Sequence, residues 1–113
     1  MQVREESVEQ RTRVVAISGE LDMAAAPAFE EKLLSCLAGE DPVILDLSDV
    51  GYMDSTAIGA LISARKKANM TRGRFAVVVQ PGDVERMLKI TRLDTAFDIV
   101  ETREEALARL ALP

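Results

Sequence analysis

The chain has no histidine, a single cysteine, no long apolar run and none of the common nucleotide or hydrolase signatures. Without histidine there is no imidazole to act as general base, metal ligand or proton acceptor in a Ser-His or Cys-His pair. An ordinary hydrolase is hard to build from such a chain. Cys36 has no second cysteine to pair with, and its place in the apolar stretch 33–37 marks a buried thiol rather than a nucleophile. No charged partner for a thiolate is evident beside it in the sequence. The longest apolar run falls far short of a bilayer span, so no membrane insertion is expected. Residues 1–10 are largely polar and form no charged-then-apolar leader with a small-residue cleavage site, so the expected location is the cytoplasm. G-x-G-x-x-G, Walker A and G-x-S-x-G sequences are all missing, which leaves nucleotide binding and serine hydrolysis without motif support and no cofactor expected.

What remains is an ordinary globular composition. The 113 residues are 48% hydrophobic and 29% charged, enough for one domain spanning residues 1–113 and too few for two. The net charge of -5 sets long-range electrostatics against nucleic acid and anionic bilayers, so a protein or small-molecule partner is expected and direct nucleic-acid binding is not. The one basic cluster, Arg65, Lys66, Lys67, Arg72 and Arg74, falls near the C-terminal end of a helix, where cations offset the macrodipole. It reads as a solvated face.

Strand and helix signals alternate along the chain. Residues 14–18, 43–47 and 75–79 are short runs rich in branched apolar residues, bounded by Gly, Pro, Asp or Ser, and read as buried strands. Residues 1–9 are polar and weakly alternating, as an exposed edge strand would be, with a hairpin turn over 9–12. Pro27 suits a first helical turn, Phe29, Leu33 and Leu37 recur at four-residue spacing, and Gly39 ends that helix. From Ser55 a second helix carries Ala57, Ile58, Leu61, Ile62 and Ala68 on one face and stops at Gly73. Residues 83–91 hold a shorter helix with Val84, Met87 and Leu88, and 97–100 a brief last strand. Thr102 with Glu105 forms a capping box before a fourth helix carrying Ala106, Leu107 and Leu110. This order predicts an α/β fold, a single domain with a mainly parallel sheet of four to five strands, an antiparallel N-terminal edge strand and about four helices.

In such folds, sites gather at the carboxyl ends of parallel strands, where loops feed helix N-termini. Two acidic, hydroxyl-bearing loops are expected there: residues 19–22, and residues 46–53 leading into Asp54-Ser55-Thr56. Asp54 is a good helix N-cap, with the hydroxyls of Ser55 and Thr56 in the first turn and free N–H groups beside them. Spacing alone supports two readings, a plain cap and a phosphorylation site, since a helix N-terminus tolerates an added dianion. It does not choose between them. Asp46, Asp49 and Asp54 fit no dense calcium loop, and capping and turn roles suit them better than a metal site. Residues 43–47 resemble the strand that carries the phosphoacceptor aspartate of response-regulator receivers. Those proteins have an acidic pair after their first strand, and this chain does not.

Two motifs in order carry a stronger likeness. Ile17-Ser18-Gly19-Glu20-Leu21-Asp22, followed by Leu45-Asp46-Leu47-Ser48-Asp49-Val50, Tyr52-Met53-Asp54-Ser55-Thr56 and Ile58-Gly59, closely resembles bacterial anti-sigma factor antagonists of the STAS domain family. The likeness runs over nearly the whole chain. It implies a STAS fold and a partner-switching regulator with no catalysis of its own. Such a protein binds an anti-sigma factor that is also a serine kinase and so releases a sigma factor. The kinase then phosphorylates it, and a phosphoserine phosphatase resets the cycle. On the family pattern Ser55 matches the phosphoacceptor and Thr56 the second, alternative hydroxyl. Asp54 and Asp22 match the flanking positions, and all four residues are expected on the partner surface. Most classical members have Gly after the two hydroxyls, where this chain has Ala57. Single-domain STAS proteins also serve as subunits of lipid-transport and other membrane-associated complexes, which gives an alternative that uses the same surface without phosphorylation.

Overall fold

Residues buried on both faces of a sheet cannot alternate apolar with polar, and the strand segments of this chain accordingly read as continuous apolar runs. The computed structural model describes residues 1–8, 11–39, 41–71, 74–93 and 97–111, side chains of 68–71 excepted. Its elements in chain order are β1 (Gln2–Val8), β2 (Thr12–Leu21), α1 (Ala26–Leu37), β3 (Val43–Met53), α2 (Ser55–Thr71), β4 (Phe75–Val78), α3 (Asp83–Ile90), β5 (Asp98–Val100) and α4 (Arg103–Ala111). The five strands lie side by side in chain order. β1 pairs antiparallel with β2, and each later pair is parallel. Among the described residues this is the α/β architecture expected, with five strands and four helices.

Both faces of the sheet are covered, unequally. Val15, Ile17, Leu45, Leu47, Val77 and Val79 form one face and join the inward residues of α1, α2 and α3 in the larger core. Val14, Ile44, Ala76, Val78 and Val100 form the other and pack on Ala106 and Leu110 of α4 alone. In α2 the buried stripe is Ala57, Ile58, Ala60, Leu61 and Ala64. Ile62, expected in that stripe, is 38% exposed, because five residues from Ala57 at about 100° each carry it well off the stripe. Gly73, Arg72 and the hairpin residues Glu9 and Gln10 lie outside the described residues, as does the side chain of Ala68. Among the described residues no helix is long and apolar enough to cross a membrane.

The thinly covered face holds a polar clamp. Asp46 breaks the apolar run of β3 and is 9% exposed. Its Oδ1 accepts the Ser48 N–H at 2.9 Å and its Oδ2 the Arg103 Nε–H at 2.8 Å. Arg103 also donates to Glu6 of β1 at 3.0 Å. Burial pushes the proton affinity of the Asp46 carboxyl up. The hydrogen bonds from Ser48 and the Arg103 cation outweigh it and hold the group below the ordinary aspartate value. Thr102 caps α4 as its spacing foretold: its side-chain oxygen accepts the Glu105 N–H at 3.1 Å, and its hydroxyl donates to Glu105 Oε1 at 3.3 Å.

The chain departs from expectation in the two loops. Residues 19–21 and 46–53 are strand rather than loop, because β2 and β3 stay paired through Ser18↔Asp49, Gly19↔Val50, Glu20↔Tyr52 and Leu21↔Met53. Two register shifts, between Ala16 and Ser18 and between Gly19 and Glu20, let the pairing run on. Gly19 absorbs the irregularity with φ +98, a conformation that a Cβ would strain. β4 pairs with β3 only as far as Asp46, so the last residues of β2 and β3 project beyond it as a narrow ribbon. That ribbon carries the site.

Candidate functional site

The ribbon ends in two helix starts stitched together by the main chain. Where β2 finishes at Leu21, its carbonyl accepts the Asp54 N–H at 3.1 Å. The Asp22 carbonyl then takes the N–H groups of Ala25 and Ala26 at 3.1 and 2.9 Å. Its carboxylate Oδ1 accepts the Ala25 N–H at 3.0 Å. Pro27 follows in the first turn of α1, where its lack of an N–H costs nothing. Asp22 is half-buried and committed to this turn.

α2 starts in the same manner. Asp54 Oδ1 accepts the N–H of Thr56 at 3.0 Å and that of Ala57 at 3.3 Å, together with the Thr56 hydroxyl. The Asp54 carbonyl takes the Ile58 N–H at 3.2 Å. The Thr56 hydroxyl is the chief cause that holds the Asp54 carboxyl below its ordinary value, helped by the N–H groups of Ala57, Thr56 and Met23. The N–H groups of Thr56 and Ala57 in the first turn of α2, expected to be open, are therefore already satisfied by Asp54. Ala57 is fully buried, so its methyl is part of the core instead of a bump on the surface.

The two hydroxyls are in different states. Both Ser55 and Thr56 are exposed. The Thr56 hydroxyl is donated to Asp54, whereas among the described residues that of Ser55 makes no hydrogen bond. The four residues singled out from the sequence thus meet at one end of the sheet, but Asp22 and Ser55 open onto different depressions. Asp22 lines a shallow hollow with Met1, Glu20 and Ala28. Ser55 and Ile58 line a groove of about 370 Å³ between α2 and α3, completed by Asp83, Arg86, Met87 and Ile90. Sequence reading missed this groove. Its signal is Ile90, a branched aliphatic 78% exposed just past the buried stripe of Val84 and Leu88.

Other candidate groups are accounted for locally. Asp46 and Asp54 serve separate partners, and among the described residues no three acidic or thiol groups converge as metal ligands. Cys36 is buried, and its S–H donates to Glu5 Oε1 at 3.4 Å. Burial first and the Glu5 carboxylate second push the thiol up from its ordinary value, so it stays protonated. Lys32 and Arg13 neutralise Glu5 at 2.9 and 2.7 Å. Of the basic cluster, Arg65, Lys66 and Arg74 are exposed and Lys67 is half-buried.

Comparison with known proteins gives these features a context. An anti-sigma-B factor antagonist from Bacillus subtilis is 32% identical over 85 residues, covering 75% of this chain and 78% of its own. A relative from Thermotoga neapolitana is 39% identical over 69 residues, and the match spans only 61% of each chain. The crystal structure of an anti-sigma factor antagonist from Mycobacterium paratuberculosis superposes with a TM-score of 0.86 at 30% identity, over 96% of this chain and 92% of that one. The STAS domain model matches residues 5–106. With the five-stranded sheet, the paired helix starts and that match in agreement, the chain belongs to the STAS domain family.

Proposed function

We propose that this chain is an anti-sigma factor antagonist, a cytoplasmic switch that binds an anti-sigma factor serine kinase and is turned off by phosphorylation of Ser55. The observation that carries the reading is the difference between adjacent hydroxyls: Thr56 is tied to Asp54, and Ser55 is exposed and uncommitted. The names of the Bacillus subtilis and Mycobacterium paratuberculosis relatives support the regulatory class. In the step proposed, Ser55 Oγ attacks the γ-phosphorus of ATP held by the kinase. The new O–P bond forms as the bond to ADP breaks, and the hydroxyl proton passes to a base of the kinase. This chain supplies the acceptor, and the partner supplies the catalysis. A phosphoserine phosphatase would reverse the modification by hydrolysis.

Unmodified, the surface made by Ser55, Thr56, Asp54 and the Asp22 turn presents capped helix ends to a partner. A phosphoserine adds roughly -1.5 to -2 charges at neutral pH. On the free domain this charge stays solvated, and repulsion from Asp54 is small. In a complex shaped for a neutral hydroxyl, a buried unpaired phosphate costs several kcal/mol. Binding is lost while the fold persists. The test is incubation of wild type, Ser55→Ala and Thr56→Val with the cognate kinase and ATP, read by phosphopeptide mass spectrometry. Stoichiometric phosphate on wild type and Thr56→Val, with none on Ser55→Ala, is expected; phosphate confined to Thr56 overturns the assignment.

A further inference from the structure

We propose that a phosphate on Ser55 is latched by Arg86 across the groove between α2 and α3, displacing Asp83 as the partner of that guanidinium. The inference rests on the reading of Ser55 as phosphoacceptor and goes beyond it by naming the group that receives the phosphate. The N-terminus of α2 has little left to offer it, since Asp54 already takes the N–H groups of Thr56 and Ala57. Arg86 is the one cation among the described residues that line the groove with Ser55.

Its present engagement is weak. Arg86 meets Asp83 at 3.1 Å, one turn away on α3, with the two side chains 71% and 86% exposed. An exposed pair of this kind contributes little and exchanges readily. A phosphate dianion offers a guanidinium two parallel charge-assisted hydrogen bonds and carries more charge than the Asp83 carboxylate it replaces. Asp54, next to Ser55 in the chain, and Asp83, on the groove, both repel the phosphate, which therefore needs a cation beside it. Once latched, the phosphate spans the mouth of the groove, and Asp83 is released to solvent. The modification then alters the shape of this surface as well as its charge.

The test uses phosphoserine installed co-translationally at position 55, so no kinase is required, and follows its second ionisation by phosphorus NMR in wild type, Arg86→Gln and Asp83→Asn backgrounds. Melting temperatures of the three verify that each is folded. An ordinary phosphoserine titrates near pH 6. With Arg86 present the midpoint is expected lower by roughly half a unit or more, in line with a cation beside an acid. It should return to the ordinary value in Arg86→Gln and fall further in Asp83→Asn, where the competing carboxylate is gone. The same midpoint with and without Arg86 overturns the latch, whether or not a kinase uses Ser55. Absence of phosphate on Ser55 from the kinase reaction overturns the switch and leaves the latch measurement unaffected.

Discussion

The starts of α1 and α2 share a device and differ in the residues just beyond it. Each has an aspartate folded back onto main-chain N–H groups, Asp22 onto Ala25 and Asp54 onto Thr56 and Ala57. After Asp22 come Met23, Ala24 and Ala25, with no hydroxyl to modify; after Asp54 come Ser55 and Thr56. A cap alone therefore says nothing about function, because satisfying donors is a requirement of every helix end. The distinguishing feature of α2 is one exposed hydroxyl that the cap leaves over. The start of α4 is a further control, since Thr102 and Arg103 are both engaged there.

That contrast can be broken at several strengths. The largest effect should come from phosphorylating Ser55: affinity for the partner kinase is expected to fall by about a hundredfold or more, while the calorimetric melting temperature moves by only a few degrees. A form that melts far lower, or binds as before, would erase the distinction between the two helix starts.

Next is Asp46→Asn, which tests the engaged start of α4. With Arg103 about a third exposed, the expected loss at neutral pH is about 1–2 kcal/mol in urea unfolding, below the cost of breaking a fully buried pair. The folded state binds the Asp46 proton less tightly than the unfolded chain does, so its contribution is whole above the ordinary aspartate range. It is lost as pH falls through and below that range. The variant should show a shallower acid limb, and an unchanged limb would place the acid sensitivity elsewhere.

Asp22→Ala should cost about 1 kcal/mol, the usual worth of one intramolecular hydrogen bond, seen as a melting temperature lower by roughly 4 °C. Weaker kinase binding without that loss would show that the carboxylate meets the partner directly. Thr56→Val should be smallest, within about 0.5 kcal/mol as for most surface changes, with Ser55 still modified in the kinase assay.

Much of this was legible in the sequence because the strands are buried on both faces and the helix caps are local. The runs at 43–47 and 75–79, the Thr102 capping box and the Asp54 N-cap all depend on neighbours within a few residues. The ribbon was not, since residues 19–21 and 46–53 look like loop until each finds the other across two register shifts, and pairing between distant segments leaves no periodic trace. The groove beside Ser55 was hidden for the same reason: it exists only where α2 and α3 lie side by side. The ion pair of Asp46 was likewise out of reach, its partner being 57 residues away.

The strand order also bears on how the chain is made. Because β1 to β5 lie side by side in the order of synthesis, each strand leaving the ribosome finds its neighbour already in place, and none must be inserted between two others. Arg103 arrives late, 97 residues after Glu6. Until then Asp46 waits at the centre of a growing sheet without its cation, and the face that α4 will cover stays open. A ribosome-bound chain stalled before α4 therefore still exposes that apolar face to aggregation and to chaperone capture.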